Sequence, residues 1–361
     1  MEMINKIYKN KKVIVTGHTG FKGSWLCFWL YLSGAKIYGI SKNIPTNPSL
    51  FKILNIKKLI KKDYRMDIKE YQKFKSLIEK TQPDIIFHLA AQSLVKKSYK
   101  QTLETFRTNT VGTLNILDII NNCKKKISLV LITSDKVYKN INTQKKYVES
   151  DKIGGDDPYS SSKGAADIIS GSYKLLFKKK GHKIIIARAG NVIGGGDWSE
   201  DRIISDCFKS WIKNKPVKIR SLKSTRPWLH VLEPISGYLL AGNYLLKNKN
   251  NVNGMSFNFA PSKSVNKSVG DILLILKKKW KGLKIVLKKD ENFLEHKLLQ
   301  LSSKKAKKNL NWKSVLNFEE TIDMTSEWYK ALIEKKNMTI FTTDQIKYYQ
   351  KKFHKSNKFR I

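Results

Sequence analysis

Acidic residues are scarce in this 361-residue chain: 29 Asp and Glu stand against 70 Lys and Arg, a formal net charge of +41. Arginine is also scarce, supplying only Arg65, Arg107, Arg188, Arg202, Arg220, Arg226 and Arg360. A charge of this size points toward nucleic acid. The guanidinium fork that reads phosphates and bases is not enriched, however. No nucleic-acid motif is visible either, and the lysines are spread along the chain among Ile and Asn. The expectation is no specific nucleic-acid partner, weak salt-sensitive adhesion to polyanions, and a field that attracts anionic small molecules. Cysteine is limited to Cys27, Cys123 and Cys207, with neither disulfide nor metal-ligand spacing, so no metal is expected. No apolar run reaches 18 residues, and the basic N-terminus lacks a signal-peptide core. These absences predict a reduced, cytoplasmic protein with no membrane association.

What is present is an alternation of strands and helices. Lys12-Val-Ile-Val-Thr-Gly17 reads as a short buried strand that runs through Gly17-His-Thr-Gly20-Phe-Lys-Gly23 into an apolar helix ending at Leu32. Strand, glycine turn and helix form the context of a dinucleotide site, although the spacing is G-x-x-G-x-x-G and not G-x-G-x-x-G. The glycines allow close backbone approach, and the helix start offers NH groups to a diphosphate. Further strands are predicted at Lys36–Ile40, just before Arg65, at Pro83–Ala90, at Ile127–Thr133 and at Lys183–Ala187. Helices are predicted over Lys69–Glu79, Thr102–Ile120 and Tyr159–Lys178. The nearly all-apolar fifth strand suits a sheet covered on both faces. The fold class is therefore α/β, a Rossmann-type doubly wound parallel sheet. Residues 1–190 form a dinucleotide-binding domain, and 191–361 form a smaller mixed α/β substrate domain, some of whose elements return to the first. Phe341–Tyr349 reads as a docked helix before a basic tail that frays.

Ligands in such sheets bind beyond the carboxyl ends of the strands. Gly17, Asp67, Ala90-Ala91 and Thr133-Ser134-Asp135 all fall there. Tyr159-Ser-Ser-Ser-Lys163 places a phenol and an ammonium one helical turn apart on one face. An ammonium nearby favours phenolate, so the tyrosine can act as a base below its usual range. Lys136 follows Ser134-Asp135; it is either a base or an ordinary lysine paired with a carboxylate such as Asp135. His88 reads as a packed core histidine. The stretch after the second strand, Ile40-Ser41-Lys42-Asn43, lacks the acid that commonly holds the ribose hydroxyls of NAD, and Ser41 and Lys42 could accept a 2′-phosphate. NADP therefore stays open beside NAD.

These strings resemble the extended short-chain dehydrogenase/reductase superfamily and, within it, the CDP-glucose 4,6-dehydratase family, almost from end to end. The resemblance rests on Val15–Leu26, Phe87–Gln92, Thr133–Lys136, Asp157–Gly164, Ala187–Trp198, Thr225–Pro234 and Phe341–Tyr349. It implies conversion of CDP-D-glucose to CDP-4-dehydro-6-deoxy-D-glucose and water, in deoxysugar biosynthesis. A tightly held NAD would be reduced and reoxidised within each turnover. The implied catalytic set is Ser134, Asp135, Lys136, Tyr159 and Lys163. Tyr159, its pKa lowered by Lys163 and by the cofactor's ring, would deprotonate the hydroxyl at carbon 4, and Ser134 would hydrogen-bond it. Asp135 would protonate the departing hydroxyl at carbon 6, and Lys136 is the candidate base at carbon 5. The implied cofactor set is Gly17, Thr19, Gly20, Phe21, Lys22, Gly23, Ser41, Asp67, Ile68, Leu89, Ala90 and Ala91, with Tyr159 and Lys163 shared. The substrate set is Asn191, Arg202, Arg226 and His230, with Glu295 and His296 as further candidates at the nucleotide. The resemblance also suggests a homodimer through helices that include the one bearing Tyr159. The alternatives are another nucleotide-sugar 4,6-dehydratase, a 4-epimerase, or a non-catalytic dinucleotide- or RNA-binding module.

Overall fold

The computed structural model describes residues 6–141, 145–248, 250–262, 266–287 and 299–356. Seven parallel strands form the central sheet: β1 (Lys12–Thr16), β2 (Lys36–Ser41), β3 (Lys62–Arg65), β4 (Ile85–His88), β5 (Ser128–Ile132), β6 (Lys183–Ala189) and β7 (Ser256–Phe259). Their order across the sheet is β7-β6-β5-β4-β1-β2-β3. The order reverses between β1 and β4, which opens a crevice at the carboxyl ends of those two strands.

The apolar runs form strands because each residue has a face to pack on. Val13, Val15, Val130, Ile132, Ile185 and Ala187 point into one core, which also contains Trp25, Trp29 and Leu239. Ile14, Leu129, Leu131, Ile184 and Ile186 point into the other, with Phe74, Ile116 and Phe177. The alternation along each strand is the period-two signature of a doubly covered sheet. Burying each such aliphatic side chain stabilises the fold by about 1.5–3 kcal/mol.

Helices α1 (Phe21–Leu32), α2 (Tyr71–Thr81), α3 (Gly112–Asn121) and α4 (Pro158–Lys180) cover the sheet, and α5 (Leu232–Leu246) joins them. The helical stretch predicted from Thr102 is continuous but contains a π-turn at Arg107–Val111 ahead of α3. There Asn109 donates to the Gln92 carbonyl (3.0 Å) and to the Ser162 hydroxyl (2.9 Å), tying this stretch to α4. Helix α4 starts with Pro158, is capped by Asp157, which accepts from the Ser160 NH (3.0 Å), and stops at left-handed Gly181.

Beyond β6 the described residues form three two-stranded ribbons. Val192–Ile193 pairs with Leu229–His230, Thr225–Pro227 with Asn266–Ser268, and Val217–Ile219 with Ile285–Leu287. Strand β7 then returns to the edge of the main sheet beside β6. Helices α6 (Phe318–Ile333) and α7 (Met338–Ser356) close the far side; α7 contains the docked segment predicted at Phe341–Tyr349. Among the described residues, no helix is long and apolar enough to cross a membrane.

Candidate active site

Two adjoining cavities lie over the carboxyl ends of the strands. The larger, about 1130 Å³, extends from the glycine turn to α4. The turn is packed closely against its own backbone. Gly17 has a φ of +75°, and a Cβ there would lie 2.8 Å from the Ala90 nitrogen. A Cβ on Gly23 would lie 2.1 Å from the Gly17 oxygen. Neither position accepts a side chain, so the turn packs tightly against Ala90 and on itself, and Gly20 to Gly23 at the start of α1 line the cavity.

Every residue of the predicted cofactor set lines this cavity: Gly17 to Gly23 other than His18, then Ser41, Asp67, Ile68, Leu89, Ala90, Ala91, Tyr159 and Lys163. At its far end Asp67 accepts from the Lys69 NH (3.0 Å) and pairs with Lys42 (3.1 Å). Burial pushes the Asp67 carboxyl up, but these donors outweigh it and hold the group below the ordinary range. Ser41 is not a free hydroxyl. It lies 2.9 Å from His18 Nδ1, and His18 Nε2 lies 2.9 Å from Asp63, which Arg65 holds at 2.7 Å. This buried chain depends on a contact between three separate segments and has no signature in linear spacing.

The smaller cavity, about 270 Å³, opens beside the first and includes Arg220, Arg226 and Trp228. Asp135, Lys136, Asn191, Asp197 and Arg202 line both, so they mark the junction. Arg226 donates to its neighbour's carbonyl, Thr225 O, at 2.7 Å. The Ser134 hydroxyl donates to Asp135 (2.8 Å) and accepts from the Lys136 NH (3.2 Å), which pins Lys136 at the rim. Among the described residues Lys136 forms no ion pair with Asp135, and it lines both cavities. Asp197 is a site residue that sequence reasoning missed, although it stands in the glycine-rich string Gly194–Trp198. That segment is clamped from outside: Trp25 donates to the Gly195 carbonyl (2.9 Å) and Tyr329 to the Asp197 carbonyl (2.6 Å).

Three expectations need correction or fall away. His230 lines neither cavity. It is fully buried, edge-on to Trp25, with its Nδ1 accepting from the Leu232 NH (3.3 Å) and its Nε2 without a partner. Its ribbon pairs with Val192–Ile193, which turns the ring inward. Burial alone pushes it down to about 3, so it is a neutral core group. Secondly, Tyr159 is raised, not lowered. Burial dominates, opposed by the Ser134 hydrogen bond, and Asp135 pushes the same way as burial. The Lys163 ammonium points to the Ile132 carbonyl (3.5 Å). Burial, then the charge of Lys22, bring Lys163 to about 8. Lastly, Glu295 and His296 lie outside the described residues. His88 is buried between Thr16 (2.7 Å) and Thr113 (3.1 Å), as a packed core histidine should be.

Comparison with known proteins places this geometry in context. Residues 14–325 match the family described as GDP-mannose 4,6 dehydratase. A CDP-glucose 4,6-dehydratase of Salmonella typhimurium is 38% identical over 359 residues, covering 96% of this chain and 98% of that protein. Two solved structures share the fold. A dTDP-glucose 4,6-dehydratase from Bacillus anthracis in complex with NAD has a TM-score of 0.75 at 20% identity, covering 91% of this chain and 99% of the other. A UDP-glucuronic acid 4-epimerase from Bacillus cereus in complex with UDP-glucuronic acid and NAD has a TM-score of 0.74 at 21% identity, covering 89% and 99%.

Proposed function

The chain belongs to the GDP-mannose 4,6 dehydratase family, and from that premise we propose that it is a hydro-lyase converting CDP-D-glucose to CDP-4-dehydro-6-deoxy-D-glucose and water with bound NAD. The observation that carries the reading is the junction of the two cavities, where Asp135 and Lys136 stand together, with Ser134 bonded to Asp135. A 4,6-dehydration needs an acid and a base there in addition to the groups that oxidise carbon 4.

The larger cavity fits a dinucleotide. Gly17 and Gly23 allow the turn to pack tightly on itself and on Ala90, where a Cβ would clash with backbone, and the first turn of α1 that follows lines the cavity and would face a diphosphate. Asp67 and Ile68 would hold the adenosine end. Lys42 is engaged by Asp67, which supports NAD over NADP. When bound there, NAD would supply the hydride acceptor for carbon 4 and, reduced, the hydride donor for carbon 6. Tyr159 would take the proton of the carbon 4 hydroxyl while Ser134 hydrogen-bonds the oxygen, and Lys163 would hold the cofactor ribose. Asp135 would give its proton to the oxygen on carbon 6, and Lys136 would take the proton from carbon 5. The C5–H and C6–O bonds would break, a C5–C6 double bond would form and water would leave; hydride addition at carbon 6 would then be completed by return of the proton from Lys136 to carbon 5. Arg202, Arg226 and Asn191 line the smaller cavity and would receive the diphosphate and sugar.

The same reading includes a homodimer in the cytoplasm. Leu103, Val111 and Leu114 before and within α3, and Ile168 and Leu175 on α4, expose apolar side chains on packed neighbouring helices. The three cysteines are free, which suits a reducing compartment.

The test is incubation with CDP-, dTDP-, UDP- and GDP-glucose, followed by mass spectrometry for loss of one water. Strong preference for CDP-glucose is expected. Equal turnover of dTDP-glucose overturns the specificity, and no loss of water from any of them overturns the reaction class.

A further inference from the structure

Ser41 closes β2, where an acid commonly holds the ribose hydroxyls of NAD. A hydrogen-bonded chain drawn from three segments stands there instead. His18 of the glycine turn lies 2.9 Å from the Ser41 hydroxyl through Nδ1 and 2.9 Å from Asp63 of β3 through Nε2. Arg65 holds the other Asp63 oxygen at 2.7 Å. The imidazole has a fitted seat. A Cβ on Gly39 of β2 would lie 2.3 Å from it, and Phe51 meets it edge-on with ring centroids 5.3 Å apart. His18 is fully buried, whereas Ser41 lines the larger cavity.

This chain has a direction. Burial holds His18 below its ordinary range, against the pull of Asp63 and of the Ile40 carbonyl, so the ring is neutral above about pH 7. A neutral imidazole carries one proton, and a carboxylate can only accept. The proton therefore sits on Nε2, and Nδ1 takes the hydrogen of the Ser41 hydroxyl. The Ser41 oxygen is left as an acceptor. The Thr19 NH, at 3.4 Å, engages one lone pair, and the other remains for a ligand in the cavity. A ribose hydroxyl can donate to that lone pair. A 2′-phosphate, mostly a dianion near neutral pH, brings only lone pairs of its own.

We propose that the Asp63–His18 pair fixes Ser41 as a hydrogen-bond acceptor for the adenosine ribose, so that Ser41 replaces the missing acid and discriminates NAD from NADP. The inference rests on the NAD reading and deepens it. His18 and Asp63 are positioning residues that act through Ser41.

The test measures binding, not turnover. Protein stripped of dinucleotide is titrated with NAD and with NADP at about pH 7.5, above the usual imidazole range, following quenching of tryptophan fluorescence. The readout is the ratio of the NADP to the NAD dissociation constant. Wild type should favour NAD. In Asp63→Asn the amide oxygen stays with Arg65 and the NH₂ group turns to His18, which reverses the tautomer and frees the Ser41 hydrogen. The ratio should fall by about tenfold, the worth of one hydrogen bond gained or lost. Loss of the Asp63 charge could also favour the phosphate, so the same change is made in Ser41→Ala, where the ratio should hardly move. An unmoved ratio in Asp63→Asn, or an equal fall in both backgrounds, overturns the proposal. Should Asp63→Asn fail to fold by circular dichroism, Ser41→Ala alone decides: NAD binding should weaken by about fivefold with NADP unchanged, and parallel or absent changes overturn the proposal. A wild type that binds neither dinucleotide, or prefers NADP, overturns the NAD reading itself, an outcome distinct from an unmoved ratio.

Discussion

Tyr159 sits where burial works against its proposed task. Its phenol is pushed up by desolvation, and of its neighbours only the Ser134 hydroxyl and the Arg202 charge pull it down. Phenolate at neutral pH therefore requires the cationic surroundings of the loaded site. Tyr159→Phe should lower turnover of CDP-glucose by about a hundredfold or more while dinucleotide affinity is kept, because the ring packs either way. Steady-state rates and a binding titration check this; retention of more than about a tenth of the rate would remove Tyr159 from the role. Asp135 and Lys136 permit a finer separation. The backbone NH of Lys136 is held by Ser134, so Lys136→Met changes the side chain and leaves the turn in place. With substrate in deuterated water, Asp135→Asn should still exchange the carbon 5 proton, and Lys136→Met should not. Proton NMR of recovered substrate reads this directly, and wild-type exchange in Lys136→Met would transfer the base role elsewhere.

Among the elements, the C-terminal helices depend on one carboxylate. Glu233 of α5 is fully buried and accepts from the Val315 NH (2.8 Å), the Leu316 NH (2.7 Å) and the Tyr349 hydroxyl (2.7 Å). Tyr349 also meets the Ser236 hydroxyl (2.8 Å), to which the Trp312 indole donates (2.9 Å). One side chain thus clips α7 and the approach to α6 onto α5, next to the segment that positions Asp197. Glu233→Ala leaves the buried Val315 and Leu316 NH groups without an acceptor and removes one of the two partners of Tyr349, and should destabilise the protein by about 3 kcal/mol in urea unfolding. Burial raises Glu233 to about 7. The folded state therefore holds its proton more tightly than the unfolded chain does. Its contribution to stability is complete below about pH 4.3 and is lost as pH rises through 7, by up to about 1.4 kcal/mol per unit. Glu233→Gln, which keeps an acceptor for the two NH groups, should have a flatter stability profile between pH 5 and 7 than wild type. Identical slopes would show that the carboxyl titrates normally.

For the molecule as a whole, the histidines work in the opposite direction. Burial holds His88 and His230 at about 3. Their folded values lie below the unfolded value near 6.5, so their contribution is complete above that pH and is lost as pH falls toward 3. Two such groups outweigh the single Glu233 between about pH 6.5 and 4.5. A chain with a net charge of +41 also gains self-repulsion as its few carboxylates protonate. The protein should be acid-labile, with a melting temperature that falls steadily below about pH 6. His230→Leu should reduce that slope by about one proton, roughly 1.4 kcal/mol per pH unit, without loss of nucleotide binding. A slope equal to that of wild type would mean that His230 is protonated in the fold.

The sequence alone determined six of the seven strands of the sheet, the glycine turn and the tyrosine–lysine helix, because each is encoded by residues close in the chain. Apolar alternation sorts Val13 from Ile14 onto opposite faces, and Gly17 and Gly23 have no room for a side chain. Asp157 and Pro158 start α4 so that Tyr159 and Lys163 share a face. What only the tertiary structure decided concerns groups whose character comes from distant neighbours. Asp197 reaches the cavities because Trp25 and Tyr329 clamp its segment from separate helices. His230 looks like a ligand in a motif with arginine, yet ribbon pairing turns it into the core. Lys22 and Lys163 are 141 positions apart in the chain, but folding brings their charges into one compartment. Spacing reports which residues can share a helix face or a strand face; desolvation and charge coupling depend on what the rest of the chain brings up against them.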